Sequence, residues 1–244
     1  MQVLKSSIKG VCRRLGFDIR ASKHANTEER AVECLLAAAK ATVVLDVGAN
    51  TGQFVDLVRR VGYDGLVVSF EALQSAHAML ETRASKSANW MIAPRAALGA
   101  EQCVLDMNVA GNSVSSSLLK MKGLHLKAAP ESAYVGRQSV QVERLDRMAT
   151  KFLPPDGNVY LKIDTQGYEK QVLKGSAELL PRVAALQLEL SIIPLYENSP
   201  ELTEMITYAS ALGYELFDLV PGYRDVTSGR VYQLEGFFIR RDMI

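Results

Sequence analysis

Short apolar runs that end in polar or glycine-containing loops recur along the chain and alternate with amphipathic segments. Residues 43–47, 66–70 and 159–163 have the length and the β-branched content of buried strands. The same criteria predict further strands near 90–96, 103–109, 140–145, 184–190, 214–219 and 230–240, and a helix over 76–85. Such alternation is typical of an α/β fold, in which crossover helices connect the strands of a parallel sheet.

The first forty residues differ from the rest in their charge pattern. Residues 1–23 contain six basic side chains against the single acidic residue Asp18, and apolar residues recur there at helical spacing. We expect a helix that packs its apolar face on the protein; the alternative is a basic helix that contacts an anionic membrane or a lipid-linked substrate. Asn26, with Glu29 three residues later, predicts a second helix that ends near Lys40. The chain thus divides into a helical extension, 1–40, and one domain, 41–244.

Composition limits the classes of function. The length of 244 residues suits one large α/β domain with additions. The 28 basic and 27 acidic residues leave a net charge of +1, which gives no reason to expect nucleic acid as a partner. No apolar run reaches membrane-spanning length, the first twenty residues lack the apolar stretch of a cleavable signal, and the three cysteines are far apart. We therefore expect a cytoplasmic protein.

The loop after the first predicted strand carries the clearest chemical signal. The sequence VVLDVGANTGQF places Asp46 near the end of the strand and puts Gly48 and Gly52 in a loop that opens a helix. Only three residues separate these glycines, whereas a P-loop for nucleoside triphosphates has four, so the spacing argues against a P-loop. The dinucleotide fingerprint needs glycine where Asn50 and Gln53 stand. S-adenosylmethionine (SAM), a nucleoside without phosphates, fits best, because its amino-acid tail can sit against loop amides and the helix N-terminus.

The second predicted strand delivers an acidic residue at the expected position. Glu71 follows the run 66–70 and lies nineteen residues after Gly52. A carboxylate there can accept hydrogen bonds from both ribose hydroxyls of a nucleoside. Glycines also serve ordinary strand-to-helix turns, and the hypothesis of a nucleoside site depends on the combination of loop and Glu71.

Two further carboxylates end predicted strands, and a polar segment lies between strands. Asp164 ends the strand in YLKIDTQGYE, and Glu189 lies in LQLEL. If these strands are neighbours, the carboxylates flank one cleft, as a base and its orienter or as ligands of a divalent cation; each of them also has a structural alternative as a helix cap. Residues 111–136 contain serines, lysines and His125, and predict either a lid over a binding site or a linker.

The motifs LDVGANTGQF, SFEAL, AGNSVSSSLL, LKIDTQGYEKQVLKG, LQLELSIIPLYE and GYELFDLVPGYRD, with the closing EGFFIRR, resemble the FkbM family of SAM-dependent methyltransferases over about residues 40–241. The resemblance implies a class I Rossmann-like methyltransferase fold, with a mostly parallel seven-stranded sheet, an antiparallel last strand and helices on both faces. It implies O-methylation of hydroxyls on sugars, glycolipids or polyketide-type products, with Asp164 at the site of methyl transfer. The cofactor residues are then Asp46, Gly48, Ala49, Asn50, Thr51, Gly52 and Phe54 in and beside the loop, and Glu71 with Ala72 after the second strand.

Methyl transfer requires an acceptor oxygen held about 3 Å from the methyl carbon and a group that takes its proton. Asp164 is the first candidate for that base; His125 on a mobile loop and a magnesium ion held by Asp164 and Glu189 are the alternatives. The expected partner is a small-molecule or glycolipid acceptor. An NAD-dependent oxidoreductase and a non-catalytic SAM-binding module are the two other classes that use the same sheet.

Overall fold

The computed structural model describes residues 27–244 of the chain, which form an α/β fold. The strands of this part are β1 (Ala41–Val47), β2 (Leu66–Phe70), β3 (Trp90–Ile92), β4 (Ala97–Leu98), β5 (Cys103–Ala110), β6 (Tyr134–Glu143), β7 (Asn158–Ile163), β8 (Val183–Ser191), β9 (Tyr214–Pro221) and β10 (Gln233–Arg240). Its α-helices are α1 (Glu28–Ala38), α2 (Gln53–Arg60), α3 (Gln74–Ala84), α4 (Gly123–Ala128), α5 (Leu145–Ala149), α6 (Glu169–Lys174) and α7 (Leu202–Ala211).

Seven strands form the main sheet in the order β3-β2-β1-β7-β8-β10-β9. The last strand, β10, pairs antiparallel with β8 and with β9, whereas the other neighbouring pairs are parallel. Side chains of β1 point alternately into two apolar clusters, Val43 and Leu45 on one face and Val44 on the other. The predicted fold class, a mostly parallel seven-stranded sheet with an antiparallel last strand and both faces covered, is confirmed.

Three strands lie outside the main sheet, and here the prediction from the strand pattern was wrong. The regions 103–109 and 140–145, which we expected in the parallel sheet, belong to β5 and β6, which pair antiparallel and form a separate sheet in the order β4-β6-β5. Val104 and Leu105, neighbours on β5, are 56% and 37% exposed. Because successive side chains point to opposite faces, both faces of this strand meet solvent there, unlike those of a strand buried between helices.

Helix α1 packs against the main sheet. Its N-cap is Thr27, whose side chain accepts a hydrogen bond from the backbone N–H of Arg30 at 3.3 Å, one residue later than the cap predicted at Asn26. Val32 and Leu35 are fully buried in the same cluster as Phe237 of β10. None of the helices within residues 27–244 has the length and hydrophobicity that crossing a membrane requires. The helix predicted over 1–23 lies outside the described residues, and the domain boundary at residue 40 stays a prediction.

Candidate active site

A cavity of about 270 Å³ opens at the carboxyl ends of β1, β2 and β7. The carboxyl ends of parallel strands meet at one edge of the sheet, which is where open α/β sheets bind ligands. The small second sheet and the segment after β5 close the cavity from the other side. Its walls are formed by Val47–Asn50, Gln53, Phe54, Phe70–Leu73, Ala96–Leu98, Met107, Ser113, Val114, Ser116, Leu118, Lys162, Asp164–Gln166 and Tyr168.

Glycine at position 48 allows the loop after β1 to lie against the end of β7. Gly48 has a φ of +79°, and a Cβ atom there would overlap the carbonyl oxygen of Asp164. Gly52 has a φ of +93°, and a Cβ atom there would lie 2.7 Å from the ring of Trp90. Both positions combine a left-handed backbone with a close approach, so a side chain is excluded at each of them.

All five backbone amides of the loop donate within the protein. Gly48 and Ala49 donate to the carbonyl oxygen of Phe70, each at 3.1 Å, and Gly52 donates to that of Ala49 at 2.8 Å. The amide of Asn50 donates to Glu71 at 2.7 Å, and that of Thr51 to the side-chain oxygen of Asn50 at 2.9 Å. No amide of 48–52 is therefore left for the amino-acid tail of SAM, contrary to our expectation from the sequence.

Glu71 lies on the cavity wall and is fixed by the backbone. Its Oε2 accepts from the N–H of Asn50 and its Oε1 from the N–H of Leu73, both at 2.7 Å. Burial raises the pKa of Glu71, and these two hydrogen bonds oppose the rise. A carboxylate offers about four acceptor sites, so each oxygen keeps one for a ligand hydroxyl.

An apolar surface accompanies this carboxylate on the cavity wall. Phe70 and Ala72 beside Glu71, Leu98 of β4 and Met107 of β5 contribute to it. Adenosine has a flat ring and a ribose with two hydroxyls, so its binding requires an apolar surface next to a carboxylate with free acceptor sites. The residues present thus fit the nucleoside of SAM.

Lys162 is a buried cation between two carboxylates. Its Nζ lies 3.3 Å from Asp164 Oδ2 and 3.6 Å from Asp46 Oδ1, and 5.3 Å from the ring centre of Phe54. Burial alone would lower the pKa of Lys162, but the neighbouring Asp164 and Asp46 outweigh burial and raise it. Burial raises the pKa of Asp46, and Lys162 opposes that rise. Lys162 therefore remains charged and cannot accept a proton at neutral pH.

The side-chain amide of Gln166 joins the two carboxylates that the sequence singled out. Its Nε2 donates to Asp164 Oδ1 at 2.8 Å and lies 3.1 Å from both carboxylate oxygens of Glu189. Burial, followed by the nearby Asp164 and Glu169, raises the pKa of Glu189. The strands of Asp164 and Glu189 are neighbours, and the two carboxylates meet at this amide, but Glu189 does not line the cavity, so they do not flank one cleft as expected. The amide nitrogen occupies the place between them that a cation would need.

The idea of a magnesium site gains no support from the described part of the chain. Within residues 27–244, no group of three or more His, Cys, Asp or Glu side chains is arranged to hold a metal ion. Two carboxylates already bridged by an amide offer fewer oxygen ligands than Mg²⁺ or Ca²⁺ takes from proteins and water together. The donor set therefore does not fit a divalent cation.

Residues 111–117, here called the serine segment, form the wall opposite the loop after β1. Ser113 accepts a hydrogen bond from the side-chain amide of Asn50 at 3.1 Å, which joins the segment to the loop. Ser117 is fully buried and donates to the carbonyl oxygen of Gln166 at 2.8 Å. The segment thus covers the cavity, as a lid would; its mobility stays a prediction.

His125 is not brought to the cavity. It lies in α4, only 4% exposed, with its ring centre 5.5 Å from those of Tyr196 and Tyr223. Burial lowers the pKa of His125. A buried ring in an aromatic cluster cannot take the proton of an acceptor bound elsewhere, so the hypothesis of His125 as a base on a mobile loop is corrected.

The predicted residues divide by position. Those on the cavity wall are Gly48, Ala49, Asn50, Phe54, Glu71, Ala72 and Asp164, whereas Asp46, Thr51, Gly52, His125 and Glu189 are not on it. The sequence analysis missed Lys162 and Gln166. Lys162 lies two residues before Asp164, which directly follows β7, so the two side chains point to the same side. That spacing could have predicted that Lys162 lies beside Asp164, whereas no sequence pattern predicted the contacts of Gln166.

Comparison with known proteins assigns the family. Residues 46–216 match the Methyltransferase FkbM domain, which is more than half of the chain. The chain belongs to the FkbM methyltransferase family. The matched region begins at Asp46 and includes the loop, Glu71 and the end of β7. This FkbM protein thus carries the domain of a methyltransferase family. No curated protein sequence matches it.

Several solved structures resemble this FkbM protein. The methyltransferase FkbM from Methylobacillus flagellatus KT superposes with a TM-score of 0.49 at 13% identity, over 80% of this chain and 43% of that chain. The magnesium protoporphyrin IX methyltransferase from Synechocystis PCC 6803, with bound SAM, gives a TM-score of 0.47 at 10% identity, over 88% and 79%. Aeropyrum pernix fibrillarin, with natively bound SAM, gives 0.45 at 11%, over 84% and 74%. The chain spans less than half of the length of the Methylobacillus protein.

Proposed function

We propose that this protein transfers the methyl group of SAM to a hydroxyl oxygen of a small-molecule or glycolipid acceptor. The observation that carries the proposal is the position of Asp164, whose carboxylate lies on the wall of the same cavity as Glu71. A nucleoside held by Glu71 and a carboxylate at the methyl-transfer site are the two parts that O-methylation needs. The resemblance to the FkbM family supports a sugar, glycolipid or polyketide-type acceptor.

In this proposal some residues of the cavity bind SAM, and Asp164 takes part in proton transfer. SAM, when bound, supplies a methyl group that is already electrophilic, because it is attached to a sulfonium. Glu71 accepts hydrogen bonds from the ribose hydroxyls, and the apolar wall formed with Leu98 and Met107 covers the adenine. The protein's remaining task is to hold the acceptor oxygen in line and to receive its proton.

Asp164 receives that proton in our proposal. Its Oδ1 is held by the amide of Gln166, and its Oδ2 lies 3.3 Å from the Lys162 ammonium. Both oxygens are therefore fixed in place, and each keeps acceptor capacity for the acceptor's O–H. A carboxylate is a weak base for an alcohol, but a proton that leaves late in the reaction needs only a positioned acceptor.

The proposal also covers the binding partner and the location of the protein. Net charge near zero, at +1, favours a small molecule over nucleic acid as the partner. The basic residues of 1–23 suit contact with an anionic membrane surface if the acceptor is a glycolipid, in an otherwise cytoplasmic protein.

Incubation of the purified protein with methyl-labelled SAM and a native cell extract, followed by mass spectrometry, tests this function. We expect one hydroxyl-bearing molecule to gain the label, and the matched variant Asp164→Asn to transfer far less at the same protein concentration. Label on nitrogen or carbon would overturn O-methylation. Binding of SAM with no labelled molecule and no S-adenosylhomocysteine would identify a non-catalytic SAM-binding module instead.

A further inference from the structure

Gln166, in the loop that follows β7, has an unusual backbone conformation. It is not a glycine, yet its φ is +56°, in the left-handed region. Such a conformation costs energy for a residue with a Cβ atom, and it persists where the surrounding contacts determine it. Gln166 has contacts of this kind on both sides, with the two carboxylates and with the serine segment.

The serine segment and Tyr196 hold the other end of this residue. Tyr196 is fully buried, and its hydroxyl lies 2.8 Å from Gln166 Oε1 and 3.0 Å from the carbonyl oxygen of Ser115. Ser117 Oγ donates to the backbone oxygen of Gln166 at 2.8 Å. Tyr196 and Ser117 thus fix the position of the serine segment and also form hydrogen bonds with Gln166.

These contacts fix the direction of the side-chain amide. With Oε1 accepting from Tyr196, the Nε2 group faces Asp164 and Glu189 and gives each carboxylate a hydrogen. Rotation of the amide by half a turn would place its oxygen against two carboxylates, which disfavours it. The Tyr196 hydroxyl can donate to Ser115 and accept from an NH₂ group, so the carboxylates decide the orientation. The side-chain amide of Gln166 therefore links the Tyr196 hydroxyl to the carboxylate of Asp164.

We propose that Gln166 is a positioning residue that couples the seating of the serine segment to the orientation of Asp164. The role of Asp164 rests on the proposed function, whereas the coupling itself is a property of the hydrogen-bond network. When the segment is seated, Tyr196 and Ser117 hold Gln166, and Gln166 holds Asp164 Oδ1 toward the cavity. When the segment opens, Asp164 loses that restraint, so proton transfer is restricted to the closed site.

Coupling is reciprocal, so a change at Asp164 must alter the opening of the segment. The amides of Ser116 and Ser117 are hydrogen-bonded to the carbonyl oxygens of Ser113 and Asn108, and they exchange with solvent when the segment opens. The rate of hydrogen exchange at these two amides therefore measures how often the serine segment opens. The measurement can be made with SAM as the only ligand, so the acceptor need not be known. Tyr214→Phe is the matched control, because Tyr214 is also buried and its hydroxyl bonds to the carbonyl oxygen of Val183 at 3.0 Å, in a different part of the fold.

We expect Asp164→Ala and Tyr196→Phe each to accelerate this exchange by about five- to tenfold, the lower end of the range for coupling between sites, and Tyr214→Phe to leave it unchanged. In a Gln166→Leu variant, the further change Asp164→Ala should not alter the exchange rate, because the amide that links Asp164 to the serine segment is already absent. A merely structural role for Gln166 would leave the two changes additive. Unchanged exchange in Asp164→Ala, or equal acceleration with and without Gln166, would overturn the proposal.

A second readout concerns the reaction. The initial rate of label transfer from methyl-labelled SAM into the acceptor fraction of the extract should fall about tenfold in Tyr196→Phe. SAM affinity should stay within about twofold, because the hydroxyl that is lost contacts Gln166 and Ser115 and not the proposed ribose site at Glu71. A wild-type rate in this variant contradicts the coupling. A failure of methyl transfer in every variant, wild type included, would instead contradict the proposed function, and the exchange experiment would still decide the coupling.

Discussion

Gly48 and Asp164 lie in contact at the mouth of the cavity: a Cβ atom on Gly48 would overlap the carbonyl oxygen of Asp164. The loop that carries the predicted SAM site is therefore packed directly on the strand end that carries the predicted base. Because Gly48 also has a φ of +79°, only glycine fits both the backbone and the space.

Gly48→Ala should destabilise the protein and weaken SAM binding together, because β7 and the loop must move apart. Gly62→Ala is the matched control: Gly62 also has a positive φ, +87°, but a Cβ there would meet nothing within 4 Å. We expect Gly62→Ala to cost about 1–2 kcal/mol of unfolding free energy, the price of a left-handed alanine, and Gly48→Ala to cost more. Urea unfolding and calorimetry with SAM measure both effects. Equal losses in the two variants would contradict the close approach.

Glu71→Gln should weaken SAM binding by roughly 1–3 kcal/mol, because the charge that strengthens the hydrogen bonds to the ribose is lost. It should also lower stability, because the single oxygen of glutamine accepts from only one of the amides of Asn50 and Leu73 and its NH₂ group faces the other. Glu71→Ala should weaken binding and lower stability as well, because the amides of Asn50 and Leu73 lose their acceptor. Calorimetry and urea unfolding separate these effects. Unchanged SAM affinity in a folded Glu71→Gln variant would show that the ribose lies elsewhere.

Asp164→Asn should lower methyl transfer by about 10²–10⁴ while SAM affinity stays within about tenfold, since the carboxylate acts on the acceptor and not on the nucleoside. The same assay with a chelator should show no loss of activity, because the Gln166 amide lies between Asp164 and Glu189. Activity that disappears with the chelator and returns with magnesium would restore the cation hypothesis. A wild-type rate in Asp164→Asn would remove Asp164 as the base.

We expect Glu169 to make the stability of the protein depend on pH. It is 2% exposed, and burial raises its pKa to about 7, against the opposing hydrogen bonds from the amides of Thr165 and Gly167. A folded pKa above the unfolded value, about 4.3, means that the stability from Glu169 is present below about pH 4 and is lost as the pH rises through about 7.

The variant Glu169→Gln isolates this contribution. It should lose less unfolding free energy than wild type between pH 5 and pH 8, as measured by urea unfolding at each pH, because the amide does not ionise. Glu101→Gln, at an exposed position, serves as the control and should follow wild type. A wild-type pH dependence in Glu169→Gln would show that Glu169 is already ionised at pH 5.

Local sequence patterns were sufficient for the elements that place Gly48 and Glu71 on the wall of the cavity. The apolar run of β1, the loop with Gly48 and Gly52, and Glu71 after β2 follow one another within thirty residues of the chain. Each is specified by short-range physics: a strand buried on both faces, a left-handed turn, a carboxylate at a strand end. The motif around Asp164 resembled the FkbM family closely enough to predict the fold class as well.

Tertiary structure decided what depends on residues far apart in the chain. The pairing of β5 with β6, and so the second sheet, joins strands separated by the whole serine segment. Gln166 became the link between Asp164 and Glu189 only because β8 pairs with β7 and because Tyr196 and Ser117 meet it from elsewhere. His125 was buried by aromatic rings from two other segments. The sequence by itself determined the local elements, because each is stabilised within a few residues; only the fold determined which polar side chains share a site, because long-range packing sets those distances.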